Sequence, residues 1–225
     1  SIANELYNAA IERCVLAYLF VRTNPGEVHS RWEYKTYLGI DSCPTVDDGN
    51  GGSRYDHLGH VKPIAIDRDT VVVGAPNHWA ETADGSGGTA VRNSAGMAYV
   101  FTRDTAGDAN SMWSHGLDLR SEIVYEDNDA GKEKFDGNNT NDYFGDSVAI
   151  DGEYIVVGAP DKDAHETWLS GSTASNTSDV DQGAVYVFHR SSTTDLTAFI
   201  LTARFHVVDT DEEEYFGTAV AIDGD

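Results

Sequence analysis

Long hydrophobic runs, basic residues and cysteine are all scarce in this chain. The longest apolar stretch is the eight residues 14–21, well short of the ~20 needed to cross a bilayer as a helix. Only 15 Lys and Arg stand against 38 Asp and Glu, a formal charge of −23. Such a surface repels phosphate backbones and anionic lipid, so nucleic-acid binding and electrostatic membrane docking are excluded as leading readings. It favours cations, and a salty setting outside the cell screens its self-repulsion. The two cysteines, Cys14 and Cys43, are too few to infer a disulfide framework; they are one pair or two separate thiols. Catalytic patterns are nearly absent. His165-Glu166 opens like a zinc-protease helix but lacks the second histidine. Gly145-Asp146-Ser147 is like the start of some esterases, yet its counterparts Gly59-His60 and Gly217-Thr218 carry no serine. The glycine-rich stretches 49–52 and 85–88 lack the lysine of a phosphate loop.

What the chain has instead is repetition. Ile64-Ala65-Ile66-Asp67, followed by Val71-Val72-Val73-Gly74-Ala75-Pro76, returns as Val148-Ala149-Ile150-Asp151 followed by Ile155-Val156-Val157-Gly158-Ala159-Pro160, and begins again at Val220-Ala221-Ile222-Asp223. A chain that repeats one unit builds its fold by stacking copies of that unit. Each unit reads as four short strands, β-branched and aromatic, bounded by Gly, Asp, Asn and Ser. The first follows Leu58-Gly59, Phe144-Gly145 or Phe216-Gly217, and the second ends in Gly-Ala-Pro. The third is Ala98-Tyr99-Val100-Phe101, matched by Val185-Tyr186-Val187-Phe188 and by Ala17-Tyr18-Leu19-Phe20. The fourth opens at Trp32 and Trp113, each ten residues after an arginine, Arg22 and Arg103; the copy near Leu196 has no tryptophan.

Several of these segments are apolar throughout, the pattern of strands covered on both faces. Asp151-Gly152 and Asp223-Gly224 supply hairpin turns that require positive φ. Arg68 stands where Gly152 would be, which predicts strain of roughly 1 kcal/mol or another turn type. The glycine of Gly-Ala-Pro allows close backbone approach between sheets, and its proline ends the strand. The predicted fold is all-β: a partial β-propeller of four-stranded antiparallel blades, about two full blades with partial blades at each end. A β-sandwich is the alternative, but it would not restart the same four-strand unit. The expected organisation is an N-terminal segment 1–13, a short helix, cap or second strand, then an incomplete propeller 14–225 divided as 14–38, 56–119, 142–204 and 214–225.

The paired Phe-Gly and Gly-Ala-Pro motifs, their order, and the Tyr-Val-Phe strand after them resemble the FG-GAP repeat of integrin α-chain β-propellers and their bacterial and algal relatives. The resemblance rests on Phe144, Gly145, Gly158, Ala159 and Pro160, on Leu58, Gly59, Gly74, Ala75 and Pro76, and on Phe216 and Gly217. It implies a seven-bladed ring, so that the remaining blades of a longer parent chain are expected partners. It also implies an adhesion role outside the cell or at its surface. The family's Asp-x-Asp-x-Asp-Gly calcium loop is not carried over, because Asp67-Arg68 and Asp151-Gly152 are too short to wrap a cation.

Alternating strand direction places the second-to-third connections and the inter-blade connections on one rim. These are the long ones, 77–96, 120–142 and 161–182, and long loops on a rigid scaffold carry binding or are tolerated insertions. They hold Trp79, Trp168 and Glu166 as candidates for contact with a protein or glycan ligand. Asp161, Asp163, Asp127 and Asp129 are candidate calcium ligands, although neither acidic pair has the spacing of a complete loop. Asp56, Asp142 and Glu214 recur just ahead of the Leu/Phe-Gly motif, where capping of the turn is expected. Asn138-Asn139-Thr140 and Asn176-Thr177-Ser178 fit the glycosylation pattern. The function expected is a non-enzymatic, adhesion-type binding module; an ancillary domain of a secreted hydrolase is the alternative.

Overall fold

The computed structural model describes residues 15–24, 26–27, 29–40, 45–47, 53–55, 63–78, 80–83, 89–92, 94–108, 110–120, 141–162, 182–206 and 214–224. They form strands and turns. Two four-stranded antiparallel sheets make the body. The first holds β5 (Ile64–Asp67), β6 (Thr70–Ala75), β9 (Met97–Arg103) and β10 (Trp113–Leu119) in that spatial order. The second holds β11 (Ser147–Asp151), β12 (Tyr154–Ala159), β13 (Ala184–Arg190) and β14 (Phe199–His206), again in sequence order. A two-stranded sheet of β1 (Val15–Arg22) and β2 (Trp32–Gly39) precedes them and corresponds to the third and fourth strands of a blade. Each four-stranded sheet runs in sequence order, and three sheets stack through two core layers, as successive blades do and a two-sheet sandwich does not. The chain is all-β, with strands paired as in propeller blades.

Burial explains the continuous apolar runs. Every residue of β6 is buried, because Val71 and Val73 pack toward β1–β2 while Val72 packs toward the second blade. One core layer joins Leu16, Ala17 and Leu38 to Tyr99, Phe101 and Trp113. The next joins Val72, Val100 and Leu119 to Phe144, Tyr186 and Phe188. Blades thus share cores face to face, and no blade has one of its own.

Three cross-strand pairs give the arginine–tryptophan spacing its meaning. Arg22 faces Trp32, Arg103 faces Trp113 and Arg190 faces Phe199 in register. The guanidinium carbons lie 5.9, 4.7 and 4.8 Å from the ring centroids, a cation–π geometry. Phe199 takes the tryptophan's place, so the fourth strand of that blade opens at Phe199 and not at Leu196. Each outer strand also carries a bulge at the same point, around Lys35, Gly116 and Thr202. In β10 the extra residue flips the strand's facing, so Trp113 packs toward β1–β2 while Leu117 and Leu119 pack toward the second blade.

The segments 1–13, Cys14, Cys43, Leu58 and Gly59, and both glycosylation tripeptides lie outside the described residues.

Candidate functional site

The Phe-Gly motif does not begin the first strand of its own blade. Phe144 forms a parallel bridge to Gly96 of the preceding blade, and Phe216 does the same to Gly183. The Tyr143 and Phe144 amides donate to the carbonyls of Ser94 (3.0 Å) and Ala95 (3.2 Å), and the Phe216 amide donates to Gln182 (2.9 Å). The Phe144 ring is fully buried and meets Tyr186 edge-on at 5.2 Å and Phe188 at 6.3 Å. The motif is therefore a clasp between blades.

The glycines of both motifs meet at that clasp. Gly145 adopts φ +91° and donates its amide to the Gly158 carbonyl at 2.9 Å. A Cβ on Gly74 would sit 2.0 Å from the Gly145 carbonyl oxygen, and one on Gly158 would sit 1.9 Å from that of Gly217. Glycine is thus demanded by proximity of two backbones. β6 and β12 stop at Ala75 and Ala159, immediately before Pro76 and Pro160, as a residue without an amide requires. Ser147, the serine of the esterase-like pattern, is buried and donates to the Gly217 carbonyl at 2.6 Å. Its hydroxyl is committed to the clasp.

On the opposite rim the short turns are also engaged between blades. The Asp67 carboxylate accepts from the Gly152 amide at 2.8 Å, and the Asp151 carboxylate accepts from the Gly224 amide at 2.6 Å. These carboxylates occupy the connection that carries calcium in the family resembled above, and here they hold the neighbouring blade's turn. Arg68 realises the strained alternative, with φ +49°. Asp69 pairs with Arg103 (Nε–Oδ1 2.9 Å) and accepts from the Gly107 amide (2.8 Å). Farther out, Gly116 admits Thr197, whose Cγ2 would lie 2.3 Å from an added Cβ. Sequence reading assigned Asp67 and Asp151 to turns alone. The threefold recurrence of aspartate at this point was the available signal.

Two polar clusters complete the inventory. In the first blade Tyr99 Oη lies 3.3 Å from Nδ1 of the buried His78. Tyr99 also packs edge-on against His115, whose Nε2 lies 2.8 Å from Asp118 Oδ1. That bond holds the Asp118 carboxyl below its ordinary range despite partial burial. In the second blade Lys162 stands where His78 does and donates to Asp142 at 2.7 Å. Asp142, expected to cap a turn, is thus half of a largely buried ion pair. Burial pushes the Tyr186 hydroxyl up, so it stays protonated.

The long-loop rim carries two small hairpins. β3 (Thr45–Asp47) pairs with β4 (Ser53–Tyr55) in the connection from β2 to β5. β7 (Ala80–Ala83) pairs with β8 (Thr89–Arg92) between β6 and β9. Of the long connections expected to be irregular, 77–96 thus holds a hairpin, β7–β8. Trp79, Trp168, Glu166, Asp163, Asp127 and Asp129 lie outside the described residues, and Asp161 is half-buried beside Lys162. Among the described residues no three His, Cys, Asp or Glu side chains gather as a metal site, and no helix is long and apolar enough to cross a membrane.

Residues 136–188 match the family model of the FG-GAP repeat, a span that runs from the clasp at Phe144 through Gly158-Ala159-Pro160 to β13. No curated protein matches the chain. The matched span lies in the second blade, and the first blade repeats its strand order, its Gly-Ala-Pro close approach and its arginine–aromatic pair. The chain thus carries an FG-GAP repeat at residues 136–188, and its four-stranded sheets are paired as in the blades of a β-propeller.

Proposed function

We propose that this chain is a non-enzymatic, adhesion-type binding module of an extracellular or cell-surface protein. Its protein or glycan ligand sits on the rim of long connections, and further blades of a longer chain pack beside it. The observation that supports this reading is a division of labour between the two rims. The short turns of one rim are consumed by inter-blade bonds such as Asp67 to Gly152 and Asp151 to Gly224. The other rim gathers the connections that exceed what blade closure needs, including the β3–β4 and β7–β8 hairpins. Rigid blades below and variable connections above is the usual arrangement of a recognition surface. Calcium held on that rim through Asp161 and its acidic neighbours is a subsidiary proposal, checked by titrating the chelated protein with calcium.

The test is a loop exchange. Replacing residues 163–181 with a short Gly/Ser turn is expected to abolish capture on protein and glycan arrays while the far-UV circular dichroism is preserved. Unchanged capture by a folded variant would sink the rim assignment.

A further inference from the structure

We propose that the Asp151–Gly152 bond is a latent modification site. It forms isoaspartate when the two complete blades part, and the Asp67 carboxylate keeps it intact while they are docked. The inference concerns the rim of short turns and is independent of the ligand rim.

An aspartate followed by glycine holds its own reactive pair. The glycine nitrogen attacks the aspartate Cγ, since no Cβ crowds its approach. A bond forms between nitrogen and Cγ as the nitrogen gives up its proton and a carboxyl oxygen leaves as water. Water then opens the resulting succinimide at either carbonyl. One opening restores aspartate and the other gives isoaspartate, whose main chain runs through the side-chain carbon. Asp151-Gly152 is such a pair. It lies in the tight connection from β11 to β12, where Asp151 stands opposite Tyr154. Gly152 has φ +56° and open space where a Cβ would be, so no packing shields its nitrogen.

The docked blades restrain the reaction at both atoms. The Gly152 amide donates to Asp67 Oδ2 at 2.8 Å, and an anion against the amide opposes loss of the proton that attack requires. Asp151 Oδ2 accepts from the Gly224 amide at 2.6 Å, which holds the electrophile toward the adjacent turn. The β11–β12 ladder, in register up to Asp151, resists the backbone rotation that would bring nitrogen to Cγ. The Asp67 bond spans 85 positions and joins two blades, so it lasts only while they are docked.

Asp67 is itself followed by Arg68, at φ +49°. That residue is strained, yet its side chain crowds the nitrogen beside Asp67 and closes the same reaction to the guarding residue. Isoaspartate at position 151 adds a main-chain atom to a turn whose length sets the register of β11 on β12. A chain that reacts with its blades apart does not regain the same contact.

The test is ageing of the folded chain at neutral pH in heavy-oxygen water. Each succinimide opening leaves one heavy oxygen on residue 151, which fragmentation mass spectrometry of the digested chain locates. The wild type is expected to label there more slowly than a free peptide of residues 148–156. Asp67→Ala should label about tenfold faster than wild type, a difference of some 1.4 kcal/mol. Asp67→Asn, which keeps an acceptor oxygen without the charge, should fall between them. Asp118→Asn weakens a contact on β10 that does not involve Asp67, and should label at the wild-type rate. If Asp67→Ala loses the far-UV spectrum of the fold, Asp67→Asn decides alone, by labelling faster than wild type or not. Three results would overturn the proposal: wild type as fast as the peptide, Asp67 variants no faster than wild type, or Asp118→Asn accelerated as much as they are.

Discussion

The Asp67 carboxylate reaches across to the neighbouring blade and accepts the Gly152 amide at 2.8 Å, bridging 85 residues of sequence. Asp151 repeats the contact with Gly224. A turn amide that would otherwise face partly buried space is satisfied by a charge from the adjacent sheet, and the two blades are locked in register at their inner rim. Asp67→Ala is expected to cost about 1.5–3 kcal/mol, the range of a hydrogen bond to a charged group, with Asp67→Asn costing less because an acceptor oxygen remains. Urea midpoints of the two variants decide it; identical midpoints for wild type and Asp67→Ala would show the contact to be inert.

Glycines at two kinds of position should respond differently to alanine. Gly74→Ala places a Cβ 2.0 Å from the Gly145 carbonyl oxygen. Backbone must move, so a loss of about 3 kcal/mol or more is expected. Gly152 at φ +56° has open space around it, so Gly152→Ala incurs only left-handed strain, about 1 kcal/mol. Arg68, strained in the same way at φ +49°, should gain up to about 1 kcal/mol as Arg68→Gly. Thermal denaturation of the three variants tests the order, and Gly74→Ala falling level with Gly152→Ala would refute the close approach.

The two phenylalanines of the clasp differ in what surrounds them. Phe144 is fully buried against Tyr186 and Phe188, while Phe216 is 37% exposed. Phe144→Ala is expected to cost about 3–5 kcal/mol. Phe216→Ala, which deletes a partly exposed ring, should cost about 1 kcal/mol. Chemical denaturation in parallel measures both.

Asp118 gives the chain a local acid sensitivity. Its carboxyl is held below the usual range, chiefly by the hydrogen bond from His115. A carboxyl with a depressed folded pKa adds stability above its unfolded value of about 3.9 and loses it as pH falls through the lower folded value. The difference in urea midpoint between wild type and Asp118→Asn is therefore expected to be largest near neutrality and to shrink below about pH 4. A difference that stays constant down to low pH would count against this pairing.

Much of the architecture was legible in the residues because strand pairing within a blade is local. β-branched runs, the Asp-Gly turn and the proline after Gly-Ala all act over a few positions, so the strands β5, β6, β9, β11, β12 and β13 and their antiparallel order could be read directly. The arginine-to-tryptophan spacing likewise reflected a cross-strand pair. Its third copy was misplaced by three residues because Phe199, not tryptophan, fills the position.

What the tertiary structure alone decided lies between the blades. Phe144-Gly145 looks like the opening of a strand, yet its amides belong to Ser94 and Ala95 of the previous sheet. Asp67 looks like a turn residue, yet its partner is the turn of the next. The bulges at Lys35, Gly116 and Thr202 leave no common residue type to read. Repetition determined which strands form and in what order. The contacts that join one blade to the next run through backbone amides and carbonyls 34 and 49 positions apart and through aspartate carboxylates 73 and 85 positions from the amides they accept; an amide or carbonyl, present in every residue, leaves no mark in a sequence until the fold brings it to its partner.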